Sequence, residues 1–442
     1  MTETATRCTE SAPAKAGAAG RRGSVVCTFA LLALVCGAAQ AETWLYRVAL
    51  DAAEPLVARV VVELPASRRA QDFSVQVRGL AAGLAPQVSD LRCDGAPLAP
   101  DSASAWRIQG WTCVRLTWKV QMKAAVDGGV DPRGRAGFFD PKARYWLFSE
   151  ATSLLRPVDD ARHDGEVEFS GGAPVHGGTQ VGNTPRRVVP AADKAAEFLA
   201  IGRLPGASLR EGSIEVFHLD ALGIDLRDVL AEHGRALRYL TRVAGARELA
   251  PLRSTVLWMG APADDVVPIG VAGQRTLLLS AAVRDGRLQY PELALAWLLR
   301  EQLLQAMPAR VPLWARESLA QYYAVKALRR SDLPPAAVAA AERRLFDAQM
   351  PPRTKLREAQ RRALAGEASA HAELQSVGGA FWDRIDRAIV RKSGFRTLDS
   401  MLPRLLAVEW AGDLPPRALL ERLRNYAGDN AVDELLAQYV GG

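Results

Sequence analysis

Three short runs near the start of this 442-residue chain alternate apolar and polar side chains with a period of two. Trp44, Tyr46, Val48 and Leu50 alternate with Leu45, Arg47 and Ala49. Phe73, Val75 and Val77 alternate with Ser74, Gln76 and Arg78. Val114, Leu116, Trp118, Val120 and Met122 alternate with Arg115, Thr117, Lys119 and Gln121. A strand sends successive side chains to opposite faces, so each run predicts a strand with one buried face. Together, with Gly/Pro/Asp clusters between them, they predict an antiparallel β-sandwich. Residues 144–157 close this region, and 171–185, with five Gly and two Pro, reads as a linker or long surface loop.

The period then changes. Leu226, Val229, Leu230, His233, Leu237 and Leu240 fall on one helical stripe, and 253–259 and 275–279 read as strands. Two apolar helices follow. The first opens near Pro291, where a missing N–H costs nothing, and ends before the two prolines of 307–312. From Pro334 onward the chain is Ala/Leu/Arg-rich and helical. The expected layout is an α+β multidomain protein. It has a signal peptide (1–41), a β-sandwich (42–170), a linker (171–192), a central α/β domain (193–333) and a C-terminal α-helical domain (334–442). With 49% hydrophobic residues the chain can build several cores.

Arg21-Arg22, the apolar run 25–39 and the Ala39-Gln40-Ala41 cleavage pattern predict a signal peptide removed near Ala41. The expected location is therefore periplasmic or extracellular, with the membrane touched only during export. Residues 1–41 carry a net charge of +2, so about +5 of the chain's +7 stays with the remainder. That surface is too weakly basic to argue for nucleic acid. Cys93 and Cys113 are the cysteines left after cleavage. In an oxidising compartment they predict a disulfide worth on the order of 3 kcal/mol, with two unpaired thiols as the alternative. Two Cys without a nearby His pattern do not make a zinc site.

The segment 288–330 carries the chemistry of interest. Its first helix contains Arg300-Glu301-Gln302-Leu303-Leu304, and its second contains Trp314, Glu317, Ala320, Tyr322 and Tyr323. The outline resembles a gluzincin metallopeptidase, with H-E-x-x-H on one helix and W-x-x-E-G-x-A-x-Y-Y on the next. More distant segments extend the likeness: 145–157, 195–204, Gly379-Ala380-Phe381-Trp382-Asp383-Arg384-Ile385-Asp386, Leu398-Asp399-Ser400-Met401 and 433–441. Most of 44–442 resembles the glycyl aminopeptidase family, relatives of the aminopeptidase N family. The resemblance implies a thermolysin-like central domain.

In the family motif two imidazoles one turn apart bind Zn²⁺, the adjacent Glu activates water, and a Glu on the next helix completes the ligand set. The resemblance makes Glu301 a vestigial general base and Glu317 the third ligand. Arg300 and Leu304 stand at the imidazole positions, and neither can donate a lone pair. Arg300 is expected to pair with Glu317 or Glu301. Ser376 aligns with the transition-state Tyr and is too short to replace it. The strand near 268–279 lacks the acidic anchor for a substrate amine.

The expectation is a protein that is not an enzyme and binds no zinc, with no catalytic residues. Arg300, Glu301, Glu317 and Tyr322 would line or brace its cleft, alongside Leu304, Trp314 and Ser376. Its partner would be a peptide or an envelope protein. One alternative is an active hydrolase using Glu301 or the cluster Asp159-Asp160-x-x-His163-Asp164. Another is a structural or assembly role in the cell envelope. His233 on its apolar stripe reads as a core residue, and His371 is expected to be unconnected to any site.

Overall fold

The computed structural model describes residues 43–441 apart from 79–86, 103, 110–111, 126–130, 160–161, 246–248, 263–266, 347–351 and 411. The expected signal peptide and Asp160 lie outside the described residues. No helix among the described residues is long and apolar enough to cross a membrane.

The period-two runs become strands as predicted. Trp44, Tyr46 and Val48 are buried beside exposed Arg47 and Ala49. Phe73, Val75 and Val77 point into the same core, as do Leu116, Trp118, Val120 and Met122, whereas Val114 precedes its strand and is exposed. Burying each of the larger side chains contributes about 2–3 kcal/mol. A seven-stranded sheet runs in the order Arg187–Val189, Gly165–Ser170, Leu45–Leu50, Val57–Glu63, Arg115–Gln121, Val88–Cys93, Ala96–Pro97. Five-stranded and three-stranded sheets complete this region.

Two features depart from the sequence-based layout. Leu45–Leu50 pairs in parallel with Gly165–Ser170, so the sandwich is mixed rather than purely antiparallel. The 171–192 stretch is no bare linker, because Val175–His176 and Arg187–Val189 pair into different sheets. Short strands of this kind carry too few residues for a periodic signal. Cys93 and Cys113 are joined by a disulfide, with Cα atoms 5.5 Å apart.

The central five-stranded sheet has the order Gly206–Glu211, Ile214–Asp220, Leu252–Gly260, Thr276–Ala281, Ile269–Ala272. Its three middle strands are parallel and its two outer ones pair antiparallel. The buried carboxylate of Glu197 stitches the sandwich region to this sheet. It accepts the backbone N–H groups of Phe198, Arg275 and Thr276 at 2.9–3.0 Å.

Helix Leu226–Ala244 starts at an Asp225 cap that accepts the Arg227 N–H. It buries the predicted stripe, His233 included, with Leu230 partly covered. Helix Leu313–Leu328 packs against both Pro291–Ala306 and the long helix Ala368–Ser393. The expected boundary at 334 separates no cores, since one continuous core runs from Ile214 to Val440. The helices Leu313–Leu328 and Ala368–Ser393 run in the same direction. Their contacts advance from Glu317 with Gln375, through Ser318 with Trp382, to Lys326 with Asp386. A Cβ at Gly378 would overlap the Cβ of Ser318, so this glycine sets how closely the helices approach.

Candidate functional site

Helix Pro291–Ala306 buries Ala294, Leu295, Leu298, Leu299, Gln302 and Leu303. The opposite face, with Trp297, Arg300, Glu301, Leu304 and Gln305, stays partly exposed. Those positions follow i, i+3, i+4, i+7, i+8, so helical geometry alone gathers them into one row. Leu304 lies in this row, and its carbonyl accepts from Arg316 Nη2 at 3.0 Å.

Arg300 organises the row. Its Nη2 and Nε donate to Glu301 Oε1 at 2.6 and 3.1 Å. Its Nη1 donates to Gln375 Oε1 at 2.9 Å and to Gln321 Oε1 at 3.4 Å. Gln375 Nε2 donates in turn to Glu317 Oε2 at 3.0 Å, and His371 Nδ1 lies 3.2 Å from Glu317 Oε1. The expected pairing of Arg300 is therefore with Glu301, while Gln375 bridges Arg300 to Glu317. Glu317 is buried. Burial by itself would raise its pKa, but the hydrogen bonds of His371 and Gln375 and the nearby charges of His371 and Arg300 outweigh it. They hold the carboxyl below its ordinary value. The same hydrogen bond to Glu317 raises the pKa of His371 against the opposing effect of partial burial.

Other predicted residues lie elsewhere. Trp314 does not line the cleft: it is buried, donates to Asp413 O, and stacks on Trp382 at a centroid distance of 6.1 Å. Tyr322 is a core residue too, its hydroxyl donating to Asp386. Ser376 bonds back to Ala372 O on its own helix. Asp159 pairs with Arg68 and Asp164 with Lys194, so that surface cluster is spent on ion pairs.

His371 and Gln375 escaped the sequence reading because their partner is 54 and 58 residues away. Their i, i+4 spacing on one helix was the available signal.

Behind the row lies a buried chain of aromatic and polar groups. Trp258 Nε1 donates to His218 Nδ1 at 2.9 Å. An indole N–H only donates, which makes His218 Nδ1 an acceptor and leaves its proton on Nε2. That proton points to His233 Nδ1 at 3.1 Å, so His233 carries its own on Nε2, toward Gln302 Oε1 at 2.8 Å. Both rings are thus neutral, as their burial requires. Burial lowers the pKa of His218 and brings that of His233 down to about 4. The expectation of His233 as a satisfied core histidine matches, and the chain anchors the site helix through Gln302, next to Glu301.

No family model matches the sequence, and no curated protein matches it. Solved structures do. An aminopeptidase N family protein from Idiomarina loihiensis superimposes with a TM-score of 0.59 at 13% identity, over 90% of this chain and 74% of that one. An M1 zinc metallopeptidase from Deinococcus radiodurans gives a TM-score of 0.43 at 15% identity, over 90% and 93%. A mutant of an M1 zinc metallopeptidase from the same organism, bound to a Tyr-Ser-Ala substrate, gives 0.45 at 15% identity, over 90% and 93%. These neighbours correct two expectations, that the chain is not an enzyme and that it has no use for zinc. They are named as an aminopeptidase N family protein and as zinc metallopeptidases, names that belong to enzymes.

Among the described residues the sole group of three close metal-binding side chains is Cys93, Asp94 and Cys113, whose sulfurs are tied in the disulfide. At the cleft, Arg300 and Leu304 have no lone pair to offer, and Glu317 is engaged by His371 and Gln375. These residues do not fit the H-E-x-x-H arrangement. Arrangement of strands and helices, rather than ligand set, is what the chain shares with the aminopeptidase N family protein from Idiomarina loihiensis: a mixed α/β fold closing in a C-terminal helical region.

Proposed function

We propose that this chain is an exported, peptide-directed protein that holds an extended peptide between the edge strand Ile269–Ala272 and the row centred on Arg300. One observation carries the reading. The strand ends its sheet, with no further strand paired to its outer edge among the described residues. It also lies directly beside the charged row. Gly270 lies under the ring of Trp297, where any Cβ would overlap the indole, and Gln305 Nε2 donates to Gly273 O at 3.2 Å. An edge with no strand partner can supply main-chain hydrogen bonds to a peptide regardless of sequence, beyond the part packed against the turn Pro132–Gly134, and neighbouring charges select its end groups. Export rests on the composition of residues 1–41.

A second reading, hydrolysis of the held peptide, is favoured by His371 standing against the Glu317 carboxylate, a pairing that orients an imidazole for proton transfer. Calorimetric titration of the mature chain with a pool of random hexapeptides tests the first reading. Saturable binding weakened about tenfold (~1.4 kcal/mol) by Glu317→Gln is expected. Heat flat across the whole pool would sink it. Incubation with the same pool, followed by mass spectrometry, tests the second. Products that vanish with His371→Gln support it, and intact peptides throughout reject it.

A further inference from the structure

The carboxylate of Glu197 is 2% exposed and makes no ion pair among the described residues. The arginines on its side are committed elsewhere. Arg78 and Arg156 pair with Glu150 at 2.8 and 3.1 Å, and the Arg275 guanidinium donates to Arg253 O at 3.3 Å. A buried charge without a counter-ion is costly, so its other partners must be specific. Here they are main-chain donors: Oε1 accepts the N–H groups of Phe198 and Thr276 at 3.0 Å, and Oε2 accepts that of Arg275 at 2.9 Å. Burial pushes the Glu197 pKa up to about 7, against the pull of these hydrogen bonds.

Two of those donors belong to the turn 273–276, which leads from the edge strand Ile269–Ala272 into its neighbour Thr276–Ala281. The turn is pressed onto the sandwich region. Gln274 N–H donates to Ala196 O at 3.0 Å, and a Cβ at Gly273 would come within 2.9 Å of the same oxygen. On its other side Gly273 O accepts from Gln305 Nε2 of the helix that carries Arg300, at 3.2 Å. One turn therefore joins the sandwich region, the edge strand and the site helix.

From these contacts we infer that Glu197 is a positioning residue for the peptide edge: its carboxylate seats the turn 273–276 and so fixes strand Ile269–Ala272 beside the row of Arg300. The inference rests on the reading of that edge as a peptide site. Buried as it is, Glu197 acts through the turn and meets no peptide. The geometry dictates the residue type, because all three partners are donors and only an ionised carboxylate accepts on both oxygens. A glutamine here would aim its NH₂ at one of those N–H groups and leave it unpaired.

The test pairs amide hydrogen exchange with calorimetric titration of the random hexapeptide pool, both at about pH 8, where the carboxylate is ionised. In Glu197→Gln the amides of 273–276 should exchange about tenfold faster than in the parent, while those of strand Leu252–Gly260 keep their rates. Peptide affinity should fall about tenfold in the same variant, because fewer molecules hold the edge in its competent position. Glu197→Asp keeps the charge with a shorter reach and should fall between the two. Val216→Ala, a buried truncation in strand Ile214–Asp220, lowers stability away from the turn and should leave the affinity unchanged. Unchanged exchange at the turn, faster exchange with unchanged affinity, or equal weakening by Val216→Ala each overturns the positioning role. A parent chain that binds no peptide sinks the peptide reading instead, and the inference falls with it.

Discussion

The same two helices, Leu313–Leu328 and Ala368–Ser393, carry one charge cluster near their starts and another further along, and the two are built differently. In the distal cluster Lys326 Nζ donates to Asp386 at 2.8 Å and Asp399 at 2.7 Å. Asp386 also accepts from Tyr322 and the Leu398 N–H, and Asp399 from Tyr239. Aromatic rings also pack on the Lys326 ammonium, which lies 5.4 Å from the Tyr322 centroid and 5.7 Å from that of Tyr323. The proximal cluster of Arg300, Glu301, Glu317, His371 and Gln375 has a side that water reaches, and the His371 side chain is 43% exposed. A sealed, satisfied cluster fixes helices. One with an exposed imidazole keeps the capacity to meet a ligand, so function is sought at the proximal end.

The largest test of this contrast is Asp386→Ala. It strands Lys326 in the core with Asp399 as its remaining carboxylate, and should cost about 3–5 kcal/mol in urea denaturation. A loss below 1 kcal/mol would mean that the distal cluster is not sealed.

The buried histidines supply the next effect. His233 has a folded pKa of about 4 against an ordinary 6.5, so the unfolded chain binds the proton first as pH falls. Its stabilising contribution is complete above about pH 6.5. It declines between about 6.5 and 4, by on the order of 3 kcal/mol, and levels off below. Melting temperatures across that range should show the decline, reduced in His233→Gln relative to that variant's own neutral-pH value. An unchanged acid slope would contradict the neutral-ring assignment.

At the proximal cluster the effects should be smaller. Arg300→Gln removes a partner from a partly exposed Glu301, and a cost of about 1 kcal/mol or less is expected in the same denaturation assay. Glu317→Gln should lower the His371 pKa toward the ordinary imidazole value. Its stability cost should remain near 1–2 kcal/mol because Gln375 and solvent are at hand. Proton NMR titration of the His371 ring reads this directly, and an unshifted midpoint would show that Glu317 does not hold the imidazole.

Much of the fold was legible because it depends on local periodicity. Trp44 to Val48 and Leu116 to Met122 announce a half-buried sheet, and the Leu226–Leu240 stripe announces its helix. The row on helix Pro291–Ala306 was legible for the same reason, since helical spacing alone aligns Arg300, Glu301 and Leu304. Trp314 and Tyr322 were misplaced because an aromatic on a helix buried on nearly all sides looks the same whether it faces a cleft or a core. His371 was missed because its meaning depends on Glu317, brought to it by the packing of two helices at Gly378.

By itself the sequence determined the order of β-region and helices, the pairing of Cys93 with Cys113 as a candidate, and the residue types at the row of Arg300. All of these follow from periodicity, composition or spacing within one segment. The tertiary structure decided which carboxylate Arg300 binds, that His371 and Gln375 complete the cluster, and that His218 and His233 anchor Gln302 as neutral rings. Those outcomes depend on contacts between residues far apart in the chain, whose geometry is set only when the helices close on one another.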